Sequence, residues 1–148
     1  KKLKDSGLNV ALGTDGAASN NCLDMFREMF LATGLQKATL ADPVAVDGEE
    51  VLKMATVYGA NAMGLDDLDT IEMDKRADFA IIDLHQPNMQ PINNPLKNIV
   101  YAGSKNNVLM TVVNGVIRYE KGEYFVGEDV DKIYSKCQAI TDRILERV

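Results

Sequence analysis

The chain's 148 residues, 46% of them hydrophobic, are enough for one ordinary domain with a buried core. Its 16 basic and 22 acidic residues give a net charge of −6, which argues against a nucleic-acid partner, because such a surface needs clustered Lys and Arg. No apolar run approaches the roughly 18 residues that cross a membrane, and the first residues lack the apolar segment of a signal peptide. We therefore expect no membrane partner. Cys22 and Cys137 stand in no metal-binding spacing, so we expect reduced thiols and a cytoplasmic protein.

Residues 8–24 begin with an apolar run that alternates as a buried strand does. The run stops at Gly13, and Asp15 follows at its tip with Gly16 directly after it. Strand-then-helix folds place functional groups at the carboxyl ends of their strands. Asp15 is therefore a candidate for metal binding or proton transfer, although an Asp before Gly can equally well cap a turn.

Two helices are predicted next, over residues 21–37 and 47–64. Asn21 is the predicted cap of the first helix, whose apolar residues fall on one face. Those residues are Leu23, Phe26, Met29 and Phe30. The second helix begins at Asp47, with Glu50 at the capping-box position, and ends at Gly64.

The character of the chain changes at residue 65, and short strands are predicted between residues 70 and 125. They are residues 77–83, 98–102, 108–113, 116–120 and 124–125. The first of them is apolar on both faces, which is typical of a covered strand. Three prolines make residues 84–95 a loop, and this loop holds His85, which we interpret as a solvated side chain. Asn114-Gly115 supplies the positive φ angles of a hairpin turn.

A last helix is capped by Asp129 and runs to residue 148. Apolar residues recur along it at intervals of three and four: Val130, Ile133, Cys137, Ile140, Ile144 and Val148. Such a stripe must dock on the rest of the chain or on a partner. The opening strand has no parallel neighbour within this sequence, and no Met begins it, so we expect a piece of a longer protein.

Several short motifs occur in order along the chain. They are Gly13-Thr14-Asp15-Gly16, Ser19-Asn20-Asn21, Asp24-Met25-Phe26, Ala55-Thr56, Gly59-Ala60, Met63-Gly64, Thr70-Ile71-Glu72, Ala77-Asp78, Ile81-Ile82-Asp83, Val100-Tyr101 and Val113-Asn114-Gly115. Together they resemble the amidohydrolase superfamily, above all the 5-methylthioadenosine/S-adenosylhomocysteine deaminases and the related chlorohydrolases. One departure is Met73-Asp74-Lys75, where the family usually has a glycine before the lysine.

The resemblance implies an α/β plus β fold, in which a (β/α)8 barrel carries a β-sandwich built from both ends of the polypeptide. Residues 1–65 would be the incomplete C-terminal end of the barrel, with its last strand and helices. Residues 66–127 would form part of the sandwich, and residues 128–148 the C-terminal helix. The missing N-terminal part of the same protein is then a partner. Apolar surface is uncovered by its absence, notably Phe26, Met29, Phe30 and the first strand, and this predicts self-association or rearranged packing of residues 1–65. We also expect a homo-oligomer.

The resemblance also implies hydrolytic deamination of a small nucleoside-like substrate, such as 5-methylthioadenosine or S-adenosylhomocysteine. A divalent metal, zinc with iron or manganese as other candidates, activates water for attack on the ring carbon. Asp15 matches the aspartate that binds beside this metal and transfers the proton. Histidine ligands from earlier strands are outside this chain, so we expect the chain alone to be inactive.

Alternatives remain at this point. Ser19, Asn20 and Asn21 follow Asp15 closely and either line the substrate cleft or only shape the loop. Another amidohydrolase activity, guanine deamination or removal of a ring halide, is compatible with the same motifs. A different class of protein, a non-catalytic β-rich module that assembles through its last helix, is the further alternative.

Overall fold

A computed structural model describes residues 1–147. The helices of this part of the chain are α1 (Lys2–Asp5), α2 (Met25–Leu40), α3 (Gly48–Met54), α4 (Val57–Ala62), α5 (Pro95–Tyr101) and α6 (Val130–Leu145). The strands are β1 (Phe79–Ile82), β2 (Val108–Val113), β3 (Val116–Glu120) and β4 (Glu123–Tyr124). Two short 3-10 turns, Pro87–Met89 and Lys105–Asn107, complete the described elements. No helix among these residues is long and apolar enough to span a membrane.

The strands form one antiparallel sheet in the order β1-β2-β3-β4. The predicted hairpin is confirmed: Asn114 and Gly115, between β2 and β3, have φ angles of 51° and 75°. Asp78 holds the turn against β1, since its Oδ2 accepts from the backbone N–H of Asn114 at 3.1 Å. β1 differs from the prediction of a covered strand, because Ala80 is exposed and Ile81 is 43% exposed.

A small core joins α2, α3 and α5. Its buried members are Met29, Val46, Val51 and Val100. The burial of Met29 corrects the expectation that its helix face is uncovered, although Phe30 on the same helix is 53% exposed. Gly103 permits the close approach of α2 and α5, because a Cβ atom there would lie 2.3 Å from the backbone oxygen of Ile99 and 2.9 Å from the ring of Phe26.

The predicted opening strand is wrong: residues 8–12 form no strand in this structure, and Leu8 is 59% exposed. A parallel strand needs a neighbour to receive its hydrogen bonds, and no neighbouring strand is found within residues 1–147. Helices hold the segment instead. The backbone N–H of Leu12 donates to the Met54 oxygen at 2.8 Å, and the Asn9 side chain donates to the Tyr58 oxygen at 3.1 Å.

The predicted strand over residues 98–102 is also wrong, because this segment belongs to helix α5. The Asn94 side chain caps the helix by accepting from the backbone N–H of Lys97 at 3.1 Å. Pro95 occupies the first turn, where its fixed φ favours a helix and its missing N–H costs nothing. This pair of local signals outweighs the β-branched residues that follow it.

Helix boundaries shift where a different residue provides the cap. Asp24, and not Asn21, caps α2 by accepting from the Phe26 N–H at 3.0 Å. Asp47 caps α3 as predicted. The prediction of a single helix over residues 47–64 is wrong, because the helix is interrupted at Thr56, between α3 and α4. Glu50 closes no capping box there and pairs with Lys4 at 3.1 Å. Gly64 has a φ of +68°, in agreement with its predicted place beyond the helix end.

The C-terminal helix is confirmed as α6, and Asp129 caps it by accepting from the Lys132 N–H at 3.0 Å. None of its residues is buried, and Tyr134, Ile140 and Ile144 are about half exposed or more. Within the described part of the chain the apolar stripe is thus half-buried at Val130 and Ile133 and exposed from Cys137 onwards. Val148, the last member of the predicted stripe, lies outside the described residues.

Candidate active-site loop

Asp15 lies in an exposed loop and adopts a left-handed backbone conformation with φ of +58°. Few residues with a Cβ atom occupy this region, although Asp and Asn tolerate it better than others because their short side chains bond to nearby backbone. Here the Asp15 Oδ1 accepts from the backbone N–H of Gly16 at 2.7 Å. The conformation therefore presents the carboxylate at the surface of the loop.

Ser19 completes a turn around this carboxylate. Its hydroxyl donates to the Oδ2 of Asp15 at 3.0 Å, while its backbone N–H donates to the Gly16 oxygen at 3.1 Å. Each carboxylate oxygen of Asp15 thus accepts one short-range hydrogen bond. A carboxylate oxygen has two lone pairs, so both oxygens keep acceptor capacity for a metal or a proton.

Asn20 links the Asp15 loop to helix α2. Its Nδ2 donates to the Thr14 oxygen at 2.9 Å and to the Oε1 of Glu28 at 2.7 Å. Its Oδ1 accepts from the backbone N–H of Cys22 at 3.1 Å, so every polar atom of the amide faces a partner. Asn21 lies beside it as an exposed residue. The sequence motif gave no sign of Glu28, which reads as an ordinary solvent-facing residue in the first turn of a helix.

The residues of this loop suit one metal ligand. Within residues 1–147, no group of three His, Cys, Asp or Glu side chains could hold a metal ion. A catalytic zinc site usually has three protein ligands and one open position. Asp15, with its exposed and incompletely used carboxylate, fits one ligand position of such a site. The only histidine, His85, is exposed in the proline-rich loop as predicted.

An exposed loop that carries the Asp15 carboxylate, the helices behind it and an antiparallel sheet are thus the features by which the chain can be compared with known proteins. The sequence pattern of the Amidohydrolase family matches residues 1–118. The chain belongs to that family, as its motifs suggested.

Similar proteins include a 5-methylthioadenosine/S-adenosylhomocysteine deaminase of Pyrococcus furiosus, which is 46% identical over 136 residues, or 92% of this chain. A zinc-bound adenosine deaminase from Xanthomonas campestris superposes with a TM-score of 0.91 at 34% identity, covering 97% of this chain and 33% of that structure. A zinc-bound atrazine chlorohydrolase from Arthrobacter aurescens TC1 superposes with a TM-score of 0.82 at 27% identity. This match covers 93% of this chain and 31% of that structure. The chain spans about a third of the length of these relatives, 32% for the Pyrococcus protein.

Proposed function

We propose that this chain is the C-terminal part of a metal-dependent hydrolase that deaminates adenine-type nucleosides, with 5-methylthioadenosine and S-adenosylhomocysteine as its substrates. The 46% identity to the Pyrococcus furiosus deaminase supports this substrate class over others in the family. In this proposal residues 1–65 complete the barrel, residues 66–127 contribute to the β-sandwich, and residues 128–148 form the C-terminal helix. The rest of the active site comes from the preceding part of the same protein.

The observation that carries the proposal is the conformation of Asp15. It is held by the hydrogen bonds from Gly16 and Ser19 and presents an exposed carboxylate, within the family's motif, that keeps acceptor capacity at both oxygens. Asp15 would hold one position of a divalent metal, zinc in the similar solved structures, and such a metal would lower the pKa of its water towards neutrality. The carboxylate of Asp15 accepts a proton at one of its oxygens and returns it to the departing ammonia.

Ser19 and Asn20 follow Asp15 on the same loop, and we assign to them the shaping of that loop. The hydroxyl of Ser19 is directed at Asp15, and the amide of Asn20 is used by Thr14, Glu28 and Cys22. Neither side chain is free to select a substrate without giving up these bonds. Substrate contacts beyond the metal site are then expected from residues outside this chain.

The test compares the full-length gene product containing this sequence with its Asp15→Asn variant. We expect ammonia release from 5-methylthioadenosine by the unaltered protein, and a loss of at least about 1,000-fold in kcat in the variant, which cannot take up the proton. Zinc content measured on the same preparations separates lost metal from lost proton transfer. A variant with near-normal kcat contradicts the role of Asp15.

The 148-residue chain by itself is expected to release no ammonia at enzymatic rates, because one carboxylate cannot hold a catalytic metal. Mixing the purified chain with zinc and substrate tests this directly. Enzymatic turnover in that mixture would show that the chain contains a complete site.

Another amidohydrolase activity, chlorohydrolase or guanine deaminase, is the second candidate. The structural similarity to the atrazine chlorohydrolase is the observation in its favour. The comparison of kcat/KM for 5-methylthioadenosine, guanine and atrazine on the same enzyme decides between these chemistries. A native protein of only 16.2 kDa would instead favour a non-catalytic module.

A further inference from the structure

We propose that Asn20 and Glu28 form a latch that holds the Asp15 loop in its active conformation, so that Glu28 is a positioning residue for Asp15. This inference rests on the proposed function for its catalytic consequence. The latch itself is a property of the described residues. Its central contact is the 2.7 Å hydrogen bond from the Asn20 Nδ2 to the Glu28 Oε1.

Helix α2 provides a rigid base for this latch. Glu28 lies in its first turn, after the Asp24 cap, and the helix buries Met29 and Thr33 in the core at 4% and 0% exposure. A side chain on a packed helix is a more precise support than a side chain on a loop. The hydrogen bond to Glu28 therefore fixes the Asn20 side chain relative to the packed helix.

Asn20 in turn fixes the backbone next to Asp15. The same Nδ2 donates to the Thr14 oxygen at 2.9 Å, directly before the residue with the left-handed φ. Because the Asn20 Oδ1 is fixed by the Cys22 N–H, the amide cannot rotate without losing a further bond. The backbone N–H of Asn20 also donates to the Gly16 oxygen at 2.8 Å, so both sides of Asp15 are tied to one residue.

This support matters because no strand pairing fixes the segment within the described residues. Upstream, the Leu12 N–H bonds to Met54, and downstream the latch bonds to Glu28. Asp15 lies between these two anchors. Loss of the downstream anchor leaves Asp15 free to relax from its left-handed φ of +58° towards ordinary negative values.

The variants Glu28→Ala and Glu28→Gln test the latch, with Glu123→Ala as a control at an exposed glutamate of β4. Glutamine keeps a carbonyl oxygen that can accept from Asn20, whereas alanine removes the acceptor and still favours the helix. Asn20→Ala approaches the latch from its other side. The double variant Asn20→Ala/Glu28→Ala is expected to resemble Asn20→Ala alone, because both changes break the same bond.

The first measurement is amide hydrogen exchange of Gly16, Ser19 and Asn20 in the 148-residue chain, which needs no activity. We expect exchange about tenfold faster in Glu28→Ala, the change for one lost charge-assisted hydrogen bond, and near-normal exchange in Glu28→Gln and Glu123→Ala. Unchanged exchange in both Glu28→Ala and Asn20→Ala overturns the latch.

The second measurement is steady-state kinetics of the full-length gene product. We expect kcat to fall about 10- to 100-fold in Glu28→Ala with KM within about twofold of normal, and substantial recovery in Glu28→Gln. A rise of KM alone, or an equal loss in Glu28→Gln, overturns the positioning role. If the unaltered enzyme deaminates nothing, the proposed function is wrong, and the exchange experiment still decides whether the latch exists.

Discussion

Asp74 is a residue with a Cβ atom in a backbone conformation that glycine favours. It stands where the family usually has glycine, and its left-handed φ is +68°. A residue with a Cβ atom is strained there by about 1–2 kcal/mol, which exceeds the entropy that a glycine loses on folding, about 0.5–1 kcal/mol. Asp74→Gly should therefore stabilise the chain by about 0.5 kcal/mol in denaturant unfolding. Asp66→Gly, nearby and without a positive φ, should destabilise it, and equal effects of the two changes would contradict the prediction.

Asp47 combines a helix cap with an ion pair. The hydrogen bond from Lys97, at 3.0 Å, is the largest cause that lowers the pKa of this carboxyl, and the bond from the Glu49 N–H acts in the same direction. Because the folded pKa lies below the unfolded value of about 3.9, the stabilisation is present above that pH and is lost as pH falls through the folded pKa.

Asp47→Ala should cost about 1 kcal/mol at pH 7, the usual value of a cap, and the cost should become smaller in strong acid, where the protonated carboxyl loses its ion pair but can still accept from the Glu49 N–H. Lys97→Met keeps the cap and removes the ammonium group. It should move the pKa of Asp47 back towards its ordinary value, as followed by NMR titration. A pH-independent cost of Asp47→Ala would show that its charge is not involved.

At the scale of elements, two glycines of similar appearance in the sequence have opposite roles. Gly34, inside α2, has open space where a Cβ atom would lie, whereas a Cβ on Gly103 would meet the Ile99 backbone at 2.3 Å. Gly34→Ala should stabilise the chain by up to about 1 kcal/mol through helix propensity. Gly103→Ala should destabilise it by about 2 kcal/mol, because backbone must move. Thermal unfolding of the two variants measures both effects, and two changes of the same sign would refute this account of α2 and α5.

Elements that depend on neighbouring residues were predictable, and elements that depend on distant ones were not. The Asn114-Gly115 hairpin and the Asp47 and Asp129 caps follow from local chemistry and are confirmed. Helix α5 also follows from local chemistry, the pair Asn94-Pro95, which the prediction of a strand over residues 98–102 did not take into account. The strand over residues 8–12 needs parallel pairing with another strand, which no local pattern supplies.

The same distinction applies to the candidate site. Asp15 could be selected from sequence because glycines flank it and because its motif resembles a family. The contacts of Ser19 and Asn20 with the loop, and the part played by Glu28, depend on how the loop folds back onto α2. The positive φ of Asp15 is likewise a property of the folded loop, since Asp tolerates this conformation without requiring it.

At the scale of the whole molecule, α6 presents a stripe of apolar side chains that is largely in water. Ile140 and Ile144 are 48% and 55% exposed, and Tyr134 beside the same stripe is 61% exposed. An amphipathic helix with its apolar stripe in water gains free energy by covering that stripe, and the residues described here leave it exposed from Cys137 onwards. We therefore expect the purified chain to associate with itself, and the full-length enzyme to be a homo-oligomer.

Sedimentation velocity of the chain at increasing concentration tests the association. Ile140→Asp places a charge in the centre of the stripe and should shift the distribution towards the 16.2 kDa monomer. Ser135→Asp adds the same charge on the opposite side of α6 and should leave the association unchanged, because that side remains in water. A monomer at every concentration, or an equal response to the two variants, would show that the stripe does not mediate contact between copies. In that case the cover for α6 has to come from the rest of the enzyme, and the isolated helix should fray at its last turns.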